Sequence, residues 1–81
     1  MTYAEIIKND NGTKTAIYGF KLTTGTVYDV KSYTVKITNV TKDRIYVRYH
    51  YQDGQEWEHS FRPNAFFETF IKHNIPTLEA D

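Results

Sequence analysis

The sequence predicts a mainly β protein: a small five-stranded antiparallel barrel with a short C-terminal α-helix, built as one domain over residues 1–81. Three observations carry this. Residues Arg44 to Arg62 read as two alternating strands around a tight turn. Residues Thr15 to Asn39 hold further runs of period two, separated by turn residues. After Phe61 the apolar spacing changes from the strand period to the helical one.

The first element is read in two ways. Thr2-Tyr3-Ala4-Glu5 matches a capping box and favours a short helix carrying Ile6 and Ile7. Asn11-Gly12 is a hairpin signal, which would make Ala4–Lys8 a strand paired with Thr15–Phe20. The helix is the preferred of the two. Thr15 to Leu22 follows as a strand, with Ala16, Tyr18, Phe20 and Leu22 alternating against Thr15, Ile17, Gly19 and Lys21. Gly19 marks a bulge or a close backbone approach in it. Thr23-Thr24-Gly25 is a turn, Thr26–Val30 a strand, and Lys31-Ser32 a kink. Tyr33–Asn39 is the next strand, with Val35 and Ile37 inward. The turn Val40–Asp43 keeps those two side chains on the face of Ile45 and Val47.

The register of the following hairpin is set by side-chain chemistry. A two-residue Asp53-Gly54 turn would put Tyr51 opposite Glu56 and Tyr49 opposite Glu58, mixing carboxylates into an apolar face at a high desolvation cost. A three-residue loop, Gln52-Asp53-Gly54 with Gly54 left-handed, separates the two chemistries. Tyr51 then faces Gln55, Tyr49 faces Trp57, Val47 faces His59 and Ile45 faces Phe61. On the other face His50 meets Glu56, Arg48 meets Glu58 and Tyr46 meets Ser60. One slip of register would exchange the faces entirely. The three-residue loop predicts a core face of Ile45, Val47, Tyr49, Trp57 and Phe61, with His59 on the same side.

Pro63-Asn64 ends the last strand, and Asn64 caps a helix over Ala65–His73. Phe66, Phe67, Phe70 and Ile71 form its apolar stripe. Asn74 and Pro76 stop it, and Thr77–Asp81 is an acidic tail expected to fray. The run Lys36-Ile37-Thr38-Asn39-Val40-Thr41-Lys42-Asp43-Arg44-Ile45-Tyr46-Val47 resembles the central hairpin of SH3-like barrels. The resemblance covers roughly Phe20 to Phe61. It implies a binding module and assigns no functional residues.

Composition narrows the function. A chain of 81 residues with 40% hydrophobic and 16% aromatic content has a modest core rich in rings. Ten basic and ten acidic residues cancel, whereas nucleic-acid binders carry a basic excess. The absence of cysteine removes disulfides, thiolate catalysis and cysteine-ligated zinc. It also fits a cytoplasmic protein, as does the want of a leader or an apolar span. Asn11-Gly12-Thr13 and Asn39-Val40-Thr41 match glycosylation sequons and are read as turn chemistry. The excess of Lys, Asn, Ile, Tyr and Phe reflects AT-rich codons, a correlate of low-GC bacteria and their phages.

Catalytic constellations are thin. Ser60 lacks an elbow motif. Glu56 and Glu58 share a face about 7 Å apart, but each has a cation opposite. His50 and His59 fall on opposite faces and cannot share a metal; His50 with Glu56 supplies too few ligands for zinc. The glycines are scattered through turns and form no phosphate loop. These readings converge on a non-enzymatic binding protein without metal or cofactor. Its partner-binding residues are Lys36, Tyr46, Arg48, His50, Glu56 and Glu58, on the outer face of the third to fifth strands. The expected partner is another protein, in the manner of a phage or mobile-element inhibitor of a host defence or regulatory protein. The alternative is a nucleic-acid or nucleotide binder using Tyr46, Arg48, His50 and Lys36. Phe66, Phe67, Phe70 and Ile71 either cover the barrel mouth or form a homodimer contact.

Overall fold

The computed structural model describes residues 4–73, 75 and 77–79. Two antiparallel sheets pack around one core. The first holds β1 (Glu5–Lys8), β2 (Lys14–Ile17) and β3 (Lys21–Thr23) in that order. The second holds β4 (Val27–Asp29), β5 (Tyr33–Val40), β6 (Ile45–Tyr51), β7 (Glu56–Phe61) and β8 (Thr77–Glu79), in the spatial order β7-β6-β5-β4-β8. Among the described residues no ladder closes the two sheets into a barrel. The chain passes between them without a long connection. The Thr24 amide still bonds to Lys14 of the first sheet, while the Gly25 amide already bonds to Ile37 of the second.

The N-terminal segment is a strand, not the preferred helix. Glu5–Lys8 pairs with Lys14–Ile17 across a loop in which Asn9 accepts from Gly12 and Asn11 Oδ1 accepts from the Thr13 amide and hydroxyl. The Asn-Gly turn and the ladder outweigh the capping box; Thr2 and Tyr3 of that box lie outside the described residues. The strand expected over Thr15–Leu22 is likewise two strands. It folds back at Tyr18-Gly19-Phe20, placing Ala16 opposite Leu22. Gly19 carries φ +134° and a Cβ there would meet nothing within 4 Å. The position therefore demands a conformation and does not mark a close approach.

Val35 and Ile37 share the inner face with Ile45 and Val47, as the pattern requires; all four are buried. Ile37 pairs with Val47 and Val40 with Ile45, with Thr38 bulged out between them. The bulge absorbs the odd residue, so the apolar parity survives the turn. The hairpin of β6 and β7 adopts the three-residue loop: Gly54 has φ +91° and every expected pair from Ile45–Phe61 to His50–Glu56 is present.

The C-terminal helix starts at Pro63, two residues before the expected Ala65, with Arg62 at the cap position and no side-chain cap bond. Proline supplies the first helical φ by itself, so Asn64 lies inside the helix and caps nothing. α1 (Pro63–Phe66) runs straight into a π-helical turn over Phe67–Ile71, whose Lys72 amide reaches back to Phe67. Phe66 and Phe70 are buried, whereas Phe67 is 37% exposed. Phe66 sits among the rings of Phe20, Tyr28, Phe61 and Phe70 at 4.8–6.3 Å between centroids. Asn74 and Pro76 lie outside the described residues. Thr77–Glu79, expected to fray, pairs with β4.

Candidate functional site

The outer face of β5, β6 and β7 assembles from even-numbered positions of β6 and β7 and the matching residues of β5. Three rungs cross it. Thr34, His50 and Glu56 form one, Lys36, Arg48 and Glu58 the next, and Asn39, Tyr46 and Ser60 the third. All six expected partner-binding residues, Lys36, Tyr46, Arg48, His50, Glu56 and Glu58, therefore lie on one continuous surface. It exists because the core residues between them alternate inward, leaving no room for these side chains below the sheet.

The charges on this surface are ordered. Arg48 Nη2 donates to Glu58 Oε2, and Nη1 lies 3.8 Å from Glu56 Oε1. The hydrogen bond to Glu58, then its charge, pushes the Arg48 pKa up, and the guanidinium stays charged. His50 Nδ1 lies 3.4 Å from Glu56 Oε2. One guanidinium thus bridges two carboxylates. Lys36, exposed on β5 beside Arg48, forms no ion pair among the described residues. The face is positive along β5 and β6 and negative along β7. Tyr46 stands at its edge, 39% exposed, and Arg44 Nη1 donates to Ser60 Oγ at 3.5 Å.

The other face behaves as expected only near the helix. Ile45 and Val47 are buried, and Phe61 and Tyr49 are half-buried against the core. Trp57, expected in the core, is 59% exposed, and His59 beside it is exposed. Among the described residues the core cluster takes in neither side chain, so this end of the hairpin lies beyond the packed layer. There the rings of Tyr33, Tyr49 and Tyr51 cluster at 5.3–6.2 Å. Burial, then the neighbouring Tyr33 and Tyr51, raises the Tyr49 pKa. Alternation places these rings on the core side of β5 and β6; their exposure depends on how far the opposing layer extends.

A cleft of about 630 Å³ opens where the β5–β6 turn meets the start of α1. Tyr18, Lys42, Asp43, Arg44 and Arg62 are among the residues that line it. The Tyr18 hydroxyl is committed, donating to the Thr41 carbonyl at 2.5 Å. Sequence reasoning did not single out Arg62, because it follows the strand and precedes the helix without belonging to either pattern.

Among the described residues no group of three His, Cys, Asp or Glu side chains gathers in metal-binding proximity. His50 and His59 lie on opposite faces of the sheet. Among the described residues no helix is long and apolar enough to cross a membrane. Of the four residues offered for a homodimer contact, Phe66 and Phe70 are enclosed in the core, while Phe67 is exposed and Ile71 half-buried. No protein family, curated protein or solved structure matches the chain. The functional reading rests on the geometry alone.

Proposed function

We propose that the chain is a non-enzymatic binding module that meets a protein partner through the outer face of β5, β6 and β7. The observation that supports this is the charge order of the face: Lys36 and Arg48 on one side, Glu56 and Glu58 on the other, with exposed Tyr46 beside them. A phosphate backbone is repelled by half of such a surface. A protein with a complementary acidic and basic pair is attracted by all of it, and Tyr and Arg are favoured anchors at protein interfaces. The two small sheets, linked by the bent passage from β3 to β4, support an SH3-like arrangement as the scaffold. Inhibition of a host defence or regulatory protein, from a phage or mobile element in the host cytoplasm, is the role we attach to that module.

The test is affinity capture from a bacterial lysate with the wild type and with Arg48→Glu. The variant replaces the positive charge at the centre of β6 with a third carboxylate beside Glu56 and Glu58. A partner retained by the wild type should be lost by Arg48→Glu while the circular dichroism spectrum stays the same. Capture that survives the substitution would sink the outer-face reading.

One observation favours a second reading. The tip cluster of Tyr33, Tyr49 and Tyr51 with exposed Trp57 offers ring faces on which bases could stack. Binding to single-stranded nucleic acid would weaken steeply as salt rises, whereas a protein complex seated on ordered opposite charges would respond mildly.

A further inference from the structure

β7 is an edge strand, and among the described residues its sole ladder is with β6. Its free side can be read group by group. The Tyr51 amide donates to the Gln55 carbonyl at 2.9 Å, so Tyr51–Gln55 is a hydrogen-bonded pair. Antiparallel pairs alternate between hydrogen-bonded and open. Trp57, His59 and Phe61 therefore direct their amides and carbonyls at β6, and Glu56, Glu58 and Ser60 direct theirs outward. The Arg62 amide points the same way, while its carbonyl accepts from the Phe66 amide at 3.0 Å. The strand carries the charges of Glu56 and Glu58 but lacks the other usual protections of an edge. Residues Glu56–Phe61 hold no proline or lysine, the ladder has no bulge there, and Glu56 to His59 are exposed on both faces. Such a row of unpaired groups is a template for another strand.

We propose that this edge pairs with the same edge of a second copy of the chain, antiparallel about a twofold axis, joining the two larger sheets into one. The sequence of the edge selects the register. Across such an axis, facing residues must share a side of the sheet, so even positions meet even and odd meet odd. Centring the axis on Glu58 sets two carboxylates opposite each other, which is destabilising. Centring it on His59 sets Glu58 against Ser60 of the second copy, Trp57 against its Phe61, and Glu56 against its Arg62. Every contact except the axial pair is made twice. The outward amides and carbonyls of Glu58 and Ser60 then bond reciprocally. The opposite charges of Glu56 and Arg62 meet on one face, and on the other the exposed Trp57 is covered by a phenyl ring. Glu56 with Arg62, Trp57 with Phe61 and Glu58 with Ser60 are pairs that the chain supplies to itself, which commits the proposal to a second copy as the occupant. The proposal goes beyond the outer-face reading and does not depend on it: Arg48 and Lys36 stay accessible in the dimer.

The experiment is sedimentation velocity of the full chain from micromolar to near-millimolar concentration, with the emission of Trp57, the lone tryptophan, followed alongside. The wild type should pass from one chain to two as concentration rises, and its emission should move to shorter wavelength in step. Glu56→Arg and Arg62→Glu, each placing like charges opposite twice per dimer, should weaken association at least tenfold. The two substitutions combined in one chain should restore it. A wild type that stays monomeric throughout overturns the proposal. So do single variants that dimerise like the wild type, and so does a folded double variant that remains monomeric. If a charge variant fails to fold, Trp57→Lys, at a position 59% exposed, takes its place: loss of the dimer supports the pairing and its persistence refutes it. A monomeric result would leave capture through Arg48 untouched, and failure of that capture would leave the dimer untouched.

Discussion

Tyr18 shows how one side chain ties the two sheets together. It follows β2, is buried, and donates its hydroxyl to Thr41 in the β5–β6 turn. Burial first, and the nearby Asp43 carboxylate second, push its pKa from 10.0 up to about 12. A phenol that ionises less readily folded than unfolded contributes stability that is complete below the unfolded value and is lost as pH rises from about 10 to about 12. Urea midpoints should fall across that window, and Tyr18→Phe should flatten the fall. At neutral pH the same variant leaves the Thr41 carbonyl without its partner, costing about 1–3 kcal/mol. Gly54 is a second single-residue control. Its φ of +91° is strained for any side chain, yet a Cβ there has open space. Gly54→Ala should thus cost about 1–2 kcal/mol from the backbone alone, read as a lower urea midpoint with an unchanged slope. The turn was legible because Gly54 was the residue that let carboxylates and rings separate. The partner of Asn39 was not. Placed at the end of a strand by alternation, Asn39 lies within β5, where its Oδ1 accepts from Lys14 Nζ, a residue 25 positions away that no local pattern contains.

Among the elements, the C-terminal helical segment carries the sharpest test. Its stripe of Phe66, Phe67, Phe70 and Ile71 was visible from spacing, but spacing could not say which rings the core takes. Phe66 and Phe70 are inside and Phe67 is on the rim. Phe66→Ala should cost about 3–5 kcal/mol, a large share of the roughly 4–12 kcal/mol expected for a domain of this length. Phe67→Ala should cost under about 1.5 kcal/mol, since much of its ring already meets water. Thermal melts of the two variants decide the matter; equal losses would mean that the π-helical turn does not face as described. The start of the helix was misplaced because two rules competed at Pro63-Asn64, and the proline at the first helical position prevailed. The fold-back at Gly19 was missed for a different reason. A three-residue loop preserves parity, so Ala16, Tyr18 and Leu22 alternate identically in one long strand and in a hairpin. Only the glycine betrayed the difference.

For the whole molecule, the ladder between β5 and β6 is the centre of stability. It lies between β4 and β7 in the larger sheet and supplies Val35, Ile37, Val40, Ile45 and Val47 to the core. Amide exchange should be slowest for the inner pairs of these two strands. It should be fastest for the outward amides of Glu56, Glu58 and Ser60, with these three slowing at concentrations where the edges pair. Uniform protection across β6 and β7 at low concentration would contradict an open edge. The aromatic tip and the core are two ends of one face, and they differ only in what lies opposite.

The sequence by itself determined the β class, the inward set from Val35 to Val47, the hairpin register and thus the six residues of the outer face. All follow from period-two alternation, from the cost of burying carboxylates and from the φ that glycine permits, each of which acts within a few residues. Tertiary structure alone decided that residues 5–8 form a strand, that the alternating run folds back at Gly19, and that Trp57 stands in solvent. Those outcomes depend on which strand finds which partner and how far one sheet extends over the other. These are contacts between residues distant in the chain, and alternation carries no record of them.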